Sequence, residues 1–221
     1  MQLYTFFPSG SAYRVRIALA LKGIDYEPVY VVGGRGGAGG ASDLKKPEYL
    51  ALNPSAVVPT LVDNGHVLTQ TIPIMEYLEE THPEPALLPK DPPGRARVRA
   101  MAHVMVSDTH SLGTARVMNY LDEKLGLQKK TGHEWLQYWN QRGFGALEKM
   151  LAGNPATGAF CHGDTPGMAD ICLVAHGFVA EKFAVGLKPF PAVKGIYDNC
   201  MALAAFADTH PDKQPDNPAN Q

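Results

Sequence analysis

The opening residues, MQLYTFFPSGSAYRVRIALALKG (1–23), decide how the chain is read. An apolar run at Leu3, Tyr4, Phe6 and Phe7 stops at Pro8, the small residues Ser9, Gly10 and Ser11 follow, and a helical pattern begins at once. The pattern predicts a strand, a tight turn carrying hydroxyls, and a helix N-terminus. A helix N-terminus presents N–H groups and the positive end of the dipole, which suits an anion, including a thiolate. This stretch has no cysteine. A thiolate acting here has to be brought in by a second molecule.

Working outward, residues 11–22 are predicted as the first helix and 26–32 as a second strand. Residues 33–43, GGRGGAGGASD, carry six glycines and read as a flexible loop. A short helical piece at 46–52 ends near Asn53 and Pro54. Residues 60–62 and 67–69 flank Asn64 and Gly65, a favoured hairpin dipeptide. Residues 72–82 read as a helix with apolar Ile72, Met75 and Leu78. Five prolines lie within 83–93, the composition of an interdomain linker. Beyond them, helical patterns run over 95–125, 135–152, 169–183 and 191–207. The stretch after His210 is polar and proline-rich, so loose packing or disorder is expected. The expected domains are 1–82 (α/β), a linker at 83–94, an all-helical domain at 95–212 and a polar tail at 213–221. The order β-α-β-(α)-β-β-α followed by helices is that of a thioredoxin-like half joined to an all-α bundle.

The bulk composition narrows the partners. Of 221 residues, 45% are hydrophobic, enough for a sizeable core, and 20 basic against 22 acidic residues leave a net charge of −2. That balance gives no argument for nucleic acid or an anionic membrane as a partner. No signal peptide or spanning segment is expected, because the start lacks a charged n-region and its aliphatic run is too short. The three cysteines, Cys161, Cys172 and Cys200, match no metal spacing. They read as buried, reduced thiols of a cytoplasmic protein.

Val58, Pro59, Thr60 and Leu61 stand just before the predicted hairpin, where a thioredoxin-like domain carries a cis-proline. Such a proline leaves the preceding peptide groups available to a peptide-like ligand. Gln70 and Thr71 open the next helix, and a hydroxyl beside helix-start N–H groups suits a carboxylate. With YRVRIALALKGIDYE (13–27), PEYLALNP (47–54), VPTLVDNG (58–65), IMEYLEETHP (74–83), GDTPGMADICLV (163–174) and AFADTHPDKQPD (205–216), these motifs resemble the zeta class of soluble glutathione transferases. That class includes maleylacetoacetate isomerase and its bacterial maleylpyruvate isomerase relatives.

The resemblance implies the two-domain glutathione transferase fold, with a thioredoxin-like α/β N-terminal domain and an all-α C-terminal domain. It also implies glutathione as cofactor, a homodimer, no metal, and a place in aromatic amino acid catabolism. Ser9 matches the family's thiol-activating serine; its hydroxyl would stabilise a thiolate by a charge-assisted hydrogen bond, and the bare alternative is a helix cap. Ser11 replaces a cysteine and keeps a donor, so Ser9 and Ser11 are the expected catalytic pair. The main chain of Val58, ahead of Pro59, would pair with the cysteinyl backbone of glutathione. Gln70 and Thr71 would hold its γ-glutamyl end, and His110 matches a histidine near the cofactor. Lys45 and Lys46 are weaker candidates for the glycine carboxylate, and the family's usual residue for it falls near Leu44. Arg14, Arg116 and Lys182 are candidates for binding the substrate's carboxylates, with structural ion pairs or solvated faces as the plain alternatives. Arg16 is open to the same two readings as Arg14. Asp170, three residues after Gly167, matches half of a capping box, with a loss of roughly 1 kcal/mol or more expected on truncation to Ala.

The function so implied is glutathione-dependent cis–trans isomerisation of a maleyl-type keto acid. Thiolate addition makes the double bond single, and rotation and thiolate loss give the trans isomer. Two alternatives stay open: a transferase that conjugates or dehalogenates small electrophiles, and a non-catalytic glutathione-binding protein. Pro8, where the isomerases tend to carry a basic residue, and two missing asparagines near His110 favour the first of these.

Overall fold

The structure, a computed structural model, describes residues 1–32 and 42–221. The glycine-rich segment 33–41, expected as a flexible loop, lies outside the described residues. Two compact units are formed, Met1–Leu87 with Ala204–Gln221, and Leu88–Leu203.

In the first unit, four strands, β1 (Gln2–Thr5), β2 (Glu27–Tyr30), β3 (Thr60–Asp63) and β4 (His66–Thr69), form a sheet of order β2-β1-β3-β4. β1 pairs parallel with β2 and antiparallel with β3, and β4 pairs antiparallel with β3. The parallel pair needs a crossover, supplied by helix α1 (Gly10–Leu21). α1 is buried on nearly every side, so its apolar residues Val15, Ile17, Ala18 and Leu19 are wholly enclosed. Asn64 and Gly65 take φ of 48° and 81°, the left-handed pair that a type I′ hairpin turn demands. Helix α2 (Pro47–Leu52) precedes the hairpin and α3 (Thr71–Thr81) follows it, packing on α1. Lys22 is buried at the end of α1, and its Nζ bonds to Glu79 Oε2 at 2.9 Å and to the carbonyls of His82 and Pro85. A buried ammonium requires such a full set of acceptors.

The stretch after His210, expected to be loose, is instead packed, with Pro211, Gln214 and Asn217 buried, and the residues just before it are anchored too. Helix α9 (Ala204–Ala207) buries Phe206, whose carbonyl accepts from Tyr13 Oη at 2.7 Å. Arg16 Nε donates to Thr209 O at 3.3 Å, the His210 ring meets the edge of Tyr13, and Asp216 Oδ2 accepts from Phe7 N at 2.8 Å. Polar composition suggests looseness, but the Asp216 carboxylate is consumed by a directed hydrogen bond from Phe7 N.

The second unit is helical: α4 (Pro92–His103), α5 (Ala115–Leu125), α6 (Lys129–Leu151), α7 (Met168–Glu181) and α8 (Pro191–Met201). α7 is its centre, buried from Met168 to Phe178 and packed on α4 and α8. The single helix expected over 95–125 is broken. After His103 the chain widens into a π-helical turn (Val104–Thr109), tightens to a 3₁₀ turn (His110–Gly113), and becomes extended at Thr114. The cause lies in SDTHSLGT (107–114), whose hydroxyls compete for backbone carbonyls. Thr109 Oγ1 bonds to Val104 O at 2.7 Å and Ser111 Oγ bonds to Ser107 O. Gly143 makes room for Thr109, since a Cβ there would lie 2.2 Å from Oγ1. The helix expected over 191–207 likewise ends at Met201 and resumes at Ala204.

Asp170 performs more than a cap. Its Oδ2 accepts from Gly167 N and its Oδ1 from Cys161 N, both at 2.8 Å. Gly167 has no side chain to complete the reciprocal half of the box. Burial pushes the Asp170 carboxyl above the usual carboxylate range, against the opposing pull of the two N–H donors. Truncation strands both donors, so Asp170→Ala should cost about 2–3 kcal/mol in urea unfolding, beyond the ~1 kcal/mol of a simple cap. A loss at or below that cap value would show that Cys161 N finds another acceptor.

Candidate active site

The sheet topology gathers the predicted residues of the first unit. β1 ends at Thr5 and leads into Ser9, while β3 starts at Thr60 opposite Tyr4, just after Val58 and Pro59. β4 ends at Thr69 opposite Thr60, and Gln70 and Thr71 follow. The Ser9 turn, the Val58 peptide and the start of α3 therefore share one end of three adjacent strands. At a strand spacing near 4.8 Å they span about 10 Å, roughly the length of an extended tripeptide.

Each piece is held by identifiable bonds. Ser9 N donates to Phe6 O at 3.0 Å, closing a turn whose central residues are Phe7 and Pro8. Ser9 is also the N-cap of α1, with Oγ accepting from Ala12 N at 3.1 Å. Capping uses an oxygen lone pair and leaves the hydroxyl proton to donate, so the cap and the thiolate roles coexist. Ser11 Oγ lies 3.5 Å from Arg14 Nη1. Arg14 and Arg16 are both buried. Arg16 is structural: Nη1 donates to Thr5 Oγ1 at 3.0 Å and Nη2 to Phe7 O at 3.3 Å, besides the bond to Thr209. Burial lowers its pKa to about 10, so it stays cationic at neutral pH.

The Val58–Pro59 bond is cis. Val57 O accepts from Tyr49 Oη at 2.6 Å and from Asn53 Nδ2 at 2.8 Å, and both side chains also reach Thr60 Oγ1. These four bonds fix the loop from its inner side. The ladder begins only at Thr60, so the Val58 peptide stands outside it. Tyr49 and Asn53 were not singled out from sequence. An Asn before a Pro reads as a helix end, and nothing local reveals that its side chain turns back to residue 57.

Gln70 is exposed, caps nothing with its side chain, and has φ of 68° and ψ of 131°. A non-glycine residue in that region carries strain of about 1–3 kcal/mol and is concentrated at ligand clamps. Thr71, the first residue of α3, is buried. Thus two helix N-termini, those of α1 and α3, and one strained polar side chain stand at the same end of the sheet. They suit a peptide-like ligand with a thiol and a carboxylate. Lys46 is engaged by Asp43 at 2.6 Å, Lys45 is exposed, and Leu44 is buried beside Val31 and Tyr49.

The remaining predicted residues belong to the helical unit. His110 starts the 3₁₀ turn, half-buried, with its ring 6.0 Å from that of His176. Arg116 is exposed on α5. Lys182 is exposed at the end of α7, its ammonium 4.1 Å above the Phe178 ring. All three cysteines are buried in this unit, and burial raises the Cys161 and Cys200 thiols well above their usual range.

Comparison with known proteins shows the family. Residues 8–81 match the family model of the glutathione S-transferase N-terminal domain. The chain is 43% identical to maleylacetoacetate isomerase of Pseudomonas aeruginosa over 99% of its own length and 100% of the relative's. It superposes with a TM-score of 0.91 and 40% identity on the holo structure of a maleylpyruvate isomerase described as a bacterial zeta-class glutathione S-transferase, covering 98% of this chain and 99% of that one. A maleylacetoacetate isomerase from Methylobacterium extorquens AM1, solved with malonate and GSH bound, also gives 0.91 and 40%, over 99% and 100% of the two chains. The chain belongs to the zeta-class glutathione transferases, the family of maleylacetoacetate and maleylpyruvate isomerases. Among the described residues, no helix is long and apolar enough to cross a membrane.

Two measurements check the site's physics. Gln70→Gly should raise stability by about 1 kcal/mol by relieving the positive φ, whereas Gln70→Ala keeps a Cβ and should give no such gain. Equal stability of the two variants would mean that the φ carries no strain. In the folded protein Cys161, Cys172 and Cys200 should resist iodoacetamide, and all three should label after unfolding; rapid native labelling would contradict their inertness.

Proposed function

We propose that this protein is a glutathione-dependent cis–trans isomerase of a maleyl-type keto acid, maleylacetoacetate or maleylpyruvate. The observation that carries the reading is the meeting of Ser9, the Val58 peptide and Gln70 with Thr71 at one end of the sheet. Its spacing fits an extended tripeptide, in a chain whose relatives are isomerases of these acids. When bound, glutathione supplies the thiolate that attacks the double bond and is released when the trans double bond forms.

The chain's own residues do the rest. The Ser9 hydroxyl donates to the sulfur and, with the positive end of α1, favours the thiolate over the thiol. Ser11 supplies a second hydroxyl, with Arg14 close to its oxygen. The N–H and C=O of Val58 pair with the cysteinyl residue, and Pro59 sets that peptide beside β1. Gln70 and Thr71 take the γ-glutamyl carboxylate and amine at the N-terminus of α3. His110 is assigned to the cofactor, and Arg14, Arg116 and Lys182 to the carboxylates of the keto acid, on the family resemblance and their cationic or donor chemistry. The same reading makes the protein a cytoplasmic homodimer with a glutathione-binding domain near 1–82 and a helical domain from about 95, the expected end at 212 giving way to the return of 204–221 to the first unit.

The test is turnover of maleylpyruvate and maleylacetoacetate with glutathione, followed by formation of the fumaryl product. One of the two should be isomerised with glutathione unconsumed, and Ser9→Ala should lower kcat about 10- to 100-fold, the worth of one hydrogen bond to a charged group. Conjugation of a chlorinated aromatic without isomerisation would replace this reading with that of a conjugating transferase. A fully active Ser9→Ala would remove Ser9 from the thiolate site.

A further inference from the structure

The turn that carries Ser9 is held by a residue more than two hundred positions away. Phe7, at the centre of that turn, has its N–H bonded to Asp216 Oδ2 at 2.8 Å and its carbonyl bonded to Arg16 Nη2 at 3.3 Å. The Phe7 peptide is therefore clamped on both sides. Ser9 N closes the turn onto Phe6 O, and Ser9 Oγ caps α1. Pro8, the other central residue of the turn, has no N–H to contribute.

Asp216 reaches this place because 204–221 folds onto the first unit. The supports are Tyr13 Oη on Phe206 O and Arg16 Nε on Thr209 O. Its second oxygen, Oδ1, is buried without a hydrogen-bond partner among the described residues. A buried acceptor left unbonded is costly and invites an explanation. The oxygen that holds Phe7 N–H is what the positioning needs, and a neutral amide oxygen at the same place could supply it. The Asp216 charge also lies near the buried Arg16 guanidinium, which it favours electrostatically.

We infer that Asp216 is a positioning residue for the thiolate site, acting through Phe7 and the turn to set where the Ser9 hydroxyl points. The inference rests on the proposed binding of glutathione at Ser9. A hydroxyl turned off the line to the sulfur weakens its charge-assisted hydrogen bond, which depends steeply on angle. The expected signature is in the thiol's ionisation and in turnover, with little change in how tightly the peptide part binds.

The experiment uses the full chain and follows the ultraviolet absorbance of the glutathione thiolate against pH, together with kcat and KM for glutathione. In Asp216→Ala the bound thiol should titrate about one pH unit higher than in the parent protein, and kcat near neutral pH should fall about tenfold, the equivalent in rate. KM for glutathione should change less than about twofold. Asp216→Asn keeps an oxygen for Phe7 N–H and should stay within about threefold of the parent in kcat. A folded Asp216→Ala with the parent's titration and kcat overturns the inference, as does an Asp216→Asn no better than Asp216→Ala. If the alanine variant does not fold, Asp216→Glu, which misplaces the oxygen by one methylene, decides: an unmoved titration refutes the inference and a raised one supports it. A parent protein that shows no thiolate on adding glutathione refutes the binding reading itself, and the inference with it. A parent thiolate with unmoved variants refutes only Asp216.

Discussion

The buried guanidinium of Arg16 is the constraint on which the first unit depends. A cation removed from water must be given acceptors, and the supply of them dictates geometry. Arg16 takes Thr5 at the end of β1, Phe7 in the turn, and Thr209 in the returning segment. One side chain thereby ties the strand, the turn and residues far along the chain to the middle of α1. Burial lowers its pKa to about 10 without neutralising it at ordinary pH, so the acceptors remain obligatory. The position of Ser9 follows from that closure more than from any propensity of the small residues around it.

The opposite wall of the site uses a different device. Tyr49 and Asn53 satisfy Val57 O and Thr60 Oγ1 from inside, so the loop before β3 is shaped without drawing on the Val58 peptide. Gln70 has its backbone in a region that L residues avoid and an exposed side chain that caps nothing. Strain of that kind persists only where surrounding structure enforces it. Here the pairing of Thr69 with Thr60 and the bond from Ile74 N to Gln70 O fix both flanks. A hydrogen-bonded wall and a strained corner thus face the same end of the sheet as two helix dipoles.

Much of this arrangement was legible from residue order. The strand–turn–helix opening, the Asn–Gly hairpin and the proline before β3 are local signals with local causes, and the elements formed within a residue or two of expectation. The limits of α4 and α5 were not legible, because apolar spacing continues through 107–114 while hydroxyl groups there divert the backbone. The stretch after His210 departs from expectation for a related reason. Its polarity suggests solvent, yet the carboxylate of Asp216 accepts from Phe7 N, and Pro211, Gln214 and Asn217 are buried. Composition reports how polar a segment is; it does not report whether a distant buried donor is waiting for it.

The two arginines of α1 make the same point inside the site. Sequence offered the same two readings for Arg14 and Arg16, substrate contact or structural pairing, because they are two positions apart on one helix. Their surroundings separate them. Arg16 points to three fixed acceptors and is spent on architecture, whereas Arg14 lies beside Ser11 in the first turn of α1. On a helix, positions two apart diverge by about 200° around the axis, so one faces the strand end and the other the turn. A positive charge held beneath a hydroxyl favours that hydroxyl's partnership with an anion, even where the guanidinium itself touches none. The opening stretch therefore sets three positive features side by side: the N-terminal end of the α1 dipole, the Ser9 hydroxyl proton, and the buried Arg14 cation beside Ser11.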